Sequence, residues 1–111
     1  MTDSWPFSPD AAKAALSDEV SGAGFADRFR HGTMRLGLYA PRDRDLQGPH
    51  PQDELYVIVS GSGSFVKAGE RRSFEPNDVI FVEAGAEHRF VDFTPDFAAW
   101  VIFWGADGGE R

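Results

Sequence analysis

From Phe25 onward the chain is written in short runs rich in Val, Ile, Phe and Tyr, broken about every six to ten residues by Gly, Pro, Asn or Asp. Runs of that length hold one strand each, and their even spacing is the rhythm of a β-sandwich or barrel. The strands predicted are Phe25–Arg30, Met34–Ala40, Glu54–Ser60, Ser64–Lys67, Arg71–Phe74, Val79–Val82, His88–Val91 and Phe97–Trp104. Turns are expected at Gly61-Ser62-Gly63, Ala68-Gly69, Pro76-Asn77-Asp78, Ala84-Gly85-Ala86 and Thr94-Pro95-Asp96. Upstream, Ser8-Pro9-Asp10 ahead of Ala-Ala-Lys-Ala-Ala-Leu reads as a cap, a Pro at the first helical position and good helix formers. The expected organisation is a helical segment over 1–24, a β-barrel over 25–105 and a flexible tail over 106–111.

Alternation assigns the faces. Glu54, Tyr56 and Ile58 point one way and Leu55, Val57 and Val59 the other, so both faces of this strand are apolar. The run Phe97–Trp104 repeats the pattern, with Trp100, Ile102 and Trp104 opposite Ala99, Val101 and Phe103. A second apolar face needs a cover, either the N-terminal segment or another subunit, and a homodimer joined through sheet surface is expected.

Length and charge narrow the function classes. With 111 residues there is room for a single core. A formal charge of −7, with no basic run longer than Arg71-Arg72, argues against nucleic acid or an anionic membrane as partner. The N-terminus lacks the basic and apolar stretches of a signal peptide, so a cytoplasmic location is expected. Cys is absent, which excludes disulfides, thiolate nucleophiles and sulfur ligands and leaves an N/O shell for any metal.

Only three histidines occur. His31 sits in a turn and reads as a surface residue. His50 and Glu54 are four apart, which on an extended segment puts both on one face; His88 opens a later strand, and only a closed or sandwiched sheet brings it across. His50-Pro51-Gln52-Asp53-Glu54 followed by six residues and Gly61 resembles the second half of the first cupin motif, and Gly85-Ala86-Glu87-His88 resembles the Gly-x-x-His of the second. The region from about Gly32 to Gly105 is similar to a small single-domain cupin. That resemblance implies an all-β, double-stranded β-helix (jelly-roll) barrel, here with a short N-terminal helix.

The sequence departs from the cupin pattern in several places. Gly48 stands where the first motif normally offers a His, Arg42 and Asn77 replace expected Gly residues, Glu83 replaces a Pro and Asp92 an Asn. Asn77 after Pro76 tolerates positive φ and is a mild replacement. Carry-over residue by residue leaves His50, Glu54 and His88, a shell with open positions that suits Fe(II), Mn(II), Ni(II) or Zn(II). Gln47, beside the gap, is a candidate fourth donor. Tyr39, Tyr56, Phe90 and Trp100 are candidate pocket residues, with core packing as the alternative for each. Glu54 has an alternative too, as a buried acid paired with Arg35 or Arg89. Asp43, Asp45 and Asp53 read mostly as solvated loop charges.

The resemblance implies two functions of different class. One is a metal-dependent enzyme on a small organic molecule, of dioxygenase or isomerase type. The other is a non-catalytic small-ligand-binding or sensory cupin with a weakened metal site, which Gly48 favours. Gly61-Ser62-Gly63 lacks the strand-to-helix elbow of a nucleophilic serine and no helix follows it to make a phosphate loop.

Overall fold

The structure is a computed structural model and describes residues 6–16, 24–42, 45 and 49–110. One helix, α1 (Pro9–Leu16), precedes eight strands: β1 (Phe25–His31), β2 (Met34–Tyr39), β3 (Asp53–Ser60), β4 (Gly63–Lys67), β5 (Glu70–Phe74), β6 (Val79–Val82), β7 (His88–Val91) and β8 (Ala98–Trp104). Each strand begins and ends within about one residue of where alternation and turn residues put it. Five strands form one sheet in the order β1-β2-β8-β3-β6, and three form a second in the order β5-β4-β7. All pairings are antiparallel. The two sheets face each other in the jelly-roll arrangement expected of the strand rhythm.

Two turns explain why the strands reverse where they do. Asn77 takes φ of 78°, the left-handed conformation that its position after Pro76 predicts. Gly61 has φ of +82°, and a Cβ there would lie 2.6 Å from both Phe97 Cα and Thr94 Oγ1. Only glycine lets the β3–β4 turn pack that closely on the approach to β8.

The core lies between the sheets. Tyr56, Ile58, Val101 and Phe103 from the large sheet meet Phe65, Phe74 and Phe90 from the small one, all buried. Phe90 is the hub, with ring centroids 4.6 Å from Phe97, 4.7 Å from Phe65, 4.9 Å from Tyr56 and 5.4 Å from Phe74.

The outer face of the large sheet is partly covered by α1. Ser8 caps the helix, its Oγ accepting the Ala11 N–H at 3.1 Å. Ala12 and Leu16 then pack on Leu38 and Ala98, with Val59 and Trp100 alongside. Burying Leu38 completely contributes about 2 kcal/mol and pins the helix to the sheet. The helix does not reach β6, where Val79 is 58% exposed and Phe81 46% exposed.

Residues 106–110, in the segment expected to be a tail, make backbone bonds to the barrel. The Gly108 N–H bonds the Pro51 carbonyl at 2.7 Å, and the Glu110 N–H bonds Asp53 Oδ2 at 2.9 Å. Asp53 Oδ1 accepts the Ala84 N–H at 2.9 Å. These two backbone donors hold the Asp53 carboxyl below its usual range. Asp53 is therefore a buried staple between the start of β3, the β6–β7 turn and the tail, a correction to its reading as a solvated loop charge.

Candidate metal centre

Glu54 is the second residue of β3 and projects between the sheets, paired across the ladder with Phe103 on β8 and Val82 on β6. His88 opens β7 and comes from the opposite sheet, its backbone register placing it against Lys67 on β4. His50 precedes β3 on a segment that bends at Pro51 and Gln52 rather than running extended. It reaches the same point because its carbonyl accepts the Gly85 N–H at 2.8 Å, which ties the segment to the turn that launches β7. His50 thus comes to Glu54 by a different backbone route from the extended segment that alternation assumes.

One potential ligand atom from each of His50, Glu54 and His88 lies within 4.8 Å of the others. Glu54 and His88 have side chains 1% and 0% exposed, and Glu54 Oε1 is 2.8 Å from His88 Nε2. With His88 Nε2 unprotonated neither Glu54 oxygen has a hydrogen-bond partner, and a proton on that nitrogen would serve Oε1 alone. A buried carboxylate with orphaned oxygens between two imidazoles is the situation a divalent cation resolves, because it supplies the missing positive charge and accepts all three lone pairs. The donor set therefore fits a transition metal.

The orientation of His88 is prepared for that role. Its Nδ1 lies 2.9 Å from the Ala86 carbonyl, a contact that assigns the proton to Nδ1 and leaves Nε2 facing Glu54. The Tyr56 hydroxyl is 3.2 Å from the same Nε2. Burial pushes the His88 pKa down, but the Glu54 carboxylate, the Ala86 carbonyl and the charge of Asp45 outweigh it, so the net shift is upward. His50 moves the other way. Burial lowers its pKa, the Glu54 carboxylate opposes this, and the charges of His88 and Arg35 lower it further. One ring is suited to keep a proton beside Glu54 and the other to stay neutral, the form that ligates.

The remaining expectations divide. Tyr39, Tyr56 and Phe90 are buried in the inter-sheet core, and Tyr56 flanks the centre. Trp100 lies on the other face of β8, against the helix cluster of Ala12 and Leu38, and is not brought together with them. Gln47, Gly48 and Asp43 lie outside the described residues. Glu54 makes its ion-pair contact with His88 and not with Arg35 or Arg89. Glu83 is a surface partner of Lys67 at 3.1 Å, and His31 is exposed at the end of β1.

Asp45, read from the sequence as a solvated loop charge, is instead part-buried and bonded on both oxygens. Its Oδ1 accepts the Tyr39 hydroxyl and its Oδ2 accepts the Phe90 N–H at 2.8 Å. Phe90 pairs with β4 on one edge of β7, and β7 ends the small sheet, so Asp45 caps the outer edge and links it to β2. Nothing in a run of alternating charges marks one Asp for that place.

The family model for the cupin domain matches residues 36–103, more than half of the chain, and the chain belongs to that family. It is 36% identical over 77 residues to an uncharacterized protein of Streptomyces coelicolor, covering 68% of this chain and 73% of that one. It is 34% identical over 94 residues to an acireductone dioxygenase of Gluconacetobacter diazotrophicus, covering 79% of this chain. The match spans only 52% of the dioxygenase. Among solved structures, an uncharacterized protein from Klebsiella pneumoniae with a double-stranded β-helix domain superimposes with a TM-score of 0.73 at 13% identity, over 91% of this chain and 90% of that one. This likeness bears on the fold alone.

Proposed function

We propose that this cupin is a metal-dependent enzyme acting on a small organic molecule, with His50, Glu54 and His88 as the metal ligands and dioxygenase chemistry the first branch to test. The observation that carries the reading is the buried Glu54 carboxylate, its oxygens without donors, held between two imidazoles from opposite sheets. The partial match to an acireductone dioxygenase supports the dioxygenase branch over isomerisation. When bound, an Fe(II), Mn(II), Ni(II) or Zn(II) ion would supply Lewis acidity and open coordination positions for substrate or O₂.

The chain's own residues supply the rest. The Ala86 carbonyl orients His88, and Phe103 walls the His50 ring at a centroid distance of 5.1 Å. Tyr56, wholly buried, holds its hydroxyl beside His88 Nε2, where it can donate to an anionic oxygen or hold a proton. The surrounding aromatic rings keep bulk water out.

The test is reconstitution with each metal singly, followed by O₂ uptake and solvent deuterium exchange with a panel of enolisable hydroxyketones and 2-oxo acids. Metal-dependent turnover that is lost in His50→Ala is expected. A ligand that raises the unfolding temperature equally after complete chelation, with no turnover under any metal, would instead support the second reading, a binding or sensory cupin.

The outer face also supports a homodimer. Val79 and Phe81 on β6 adjoin Val57 and Leu55 on β3, which adjoin Trp100 and Ile102 on β8, giving an apolar band across three strands whose β6 edge stands exposed. Sedimentation at micromolar concentration is expected to give the dimer mass; a sharp monomer mass contradicts it.

A further inference from the structure

Arg35 enters the barrel interior from β2 and forms no ion pair among the described residues. Its register places it in one row with the metal centre: Arg35 is opposite Phe103 on β8, and Phe103 is opposite Glu54 on β3. Two strand spacings, about 10 Å, separate the Arg35 and Glu54 backbones. Phe103 stands between them, so the cation and the carboxylate do not neutralise each other.

The guanidinium is held by apolar packing rather than by an acid. Its carbon lies 4.5 Å from the centroid of Phe103 and 6.0 Å from that of Phe25. Gly37, the next inward position on β2, makes room for this packing, since a Cβ there would lie 2.4 Å from the Phe25 ring. Arg35 Nε is buried and has no hydrogen-bond partner. An interior arginine clamped between two rings, with an orphaned donor, is preorganised for a planar anion that meets two N–H groups at once. Phe103 carries Arg35 and His50 on the same ring, so an anion at Arg35 is close to the metal ligands. The positive charge of Arg35 is felt at His50.

We propose that Arg35 is the specificity-determining residue of this site, receiving the carboxylate of a small organic acid whose remaining oxygen functions turn toward His50, Glu54 and His88. The assignment deepens the metal-centre reading and rests on it for the second half of the ligand. The carboxylate half rests on Arg35, Phe103 and Phe25 alone.

The test is calorimetric titration of Zn(II)-loaded protein with 2-oxo acids of about three to five carbons and with their uncharged amides. The expected result is a preference for acid over amide that Arg35→Gln cuts at least about tenfold and Arg35→Lys cuts less, with zinc content unchanged in both. A preference that survives Arg35→Gln within about twofold, or no preference in the parent protein, overturns the proposal. Zinc equivalents measured on the same samples separate the two readings. Protein that binds little zinc but keeps an Arg35-dependent preference loses the metal centre and retains the anion site, whereas full zinc loading with no such preference removes Arg35 only.

Discussion

At one end of the barrel interior Phe65, Phe74, Phe90 and Phe97 pack ring on ring, with centroids as close as 4.6 Å. At the other end, His50 and His88 stand on either side of the buried Glu54 carboxylate. Strand β7 contributes to both ends, His88 to one and Phe90, two residues on, to the other. The first end is satisfied by itself, since tight aromatic packing needs nothing further from a ligand. The second is a set of buried polar groups that costs stability until a cation joins it. Tyr56 connects them, its ring on Phe90 and its hydroxyl at His88.

Substitutions at the two ends are expected to separate stability from metal binding. Phe90→Ala has the largest expected effect: loss of about 3–5 kcal/mol in denaturant unfolding, because Tyr39, Tyr56, Phe65, Phe74 and Phe97 lose their common partner. A loss under about 1 kcal/mol would mean that the aromatic end is not the stabilising core.

Asp45→Ala comes next, at about 1–3 kcal/mol, since it strands the Phe90 N–H and the Tyr39 hydroxyl. Its effect is expected on unfolding of the metal-free protein. A neutral result would return Asp45 to the class of solvated loop charges.

The pH dependence of metal affinity sharpens the polar end. His88, raised above 6.5, holds a proton beside Glu54 that a metal must displace. Affinity is therefore expected to weaken as pH falls through that raised value, by up to about tenfold per unit for one displaced proton. The metal-free protein follows the opposite course for this ring. The His88 contribution to stability is complete below 6.5 and is lost as pH rises through the folded-state value. His50, whose pKa is lowered, contributes in the contrary sense, favouring the fold at higher pH and losing that contribution as pH falls. A metal Kd that stays flat between about pH 6 and pH 8 would contradict the proton–metal competition.

Tyr56→Phe is the smallest perturbation. It keeps the ring on Phe90 and removes the hydroxyl 3.2 Å from His88 Nε2. Stability is expected to change by less than about 1 kcal/mol and metal affinity by less than about tenfold.

Much of this architecture is legible in the sequence because it rests on local rules. Alternation and turn chemistry place all eight strands, and parity puts Glu54, Tyr56 and Ile58 inside with Leu55, Val57 and Val59 outside. Asn77 takes the positive φ expected of it. The cluster of His50, Glu54 and His88 is legible through two spaced motifs, not through geometry, since His50 arrives by a bend that a backbone bond to Gly85 stabilises. Asp45, Asp53 and Arg35 are not legible at all. Their roles depend on which backbone donors and which rings the closed barrel brings to them, and no local pattern encodes those meetings. Trp100 illustrates the converse: alternation already sets it on the face away from Val101, where α1 covers it.

The central claim is that the polar end is completed by a metal, and its most direct test is metal content. Reconstituted and dialysed protein is predicted to retain about one equivalent of transition metal per chain, and Glu54→Gln to retain less than about a tenth of that. Metal-free Glu54→Gln is expected to lose the gain in stability that protonated His88 gives the parent at low pH, because the carboxylate partner of that ring has been removed. Parent protein that retains less than about a tenth of an equivalent of any metal, or Glu54→Gln that loads as fully as the parent, would contradict the account.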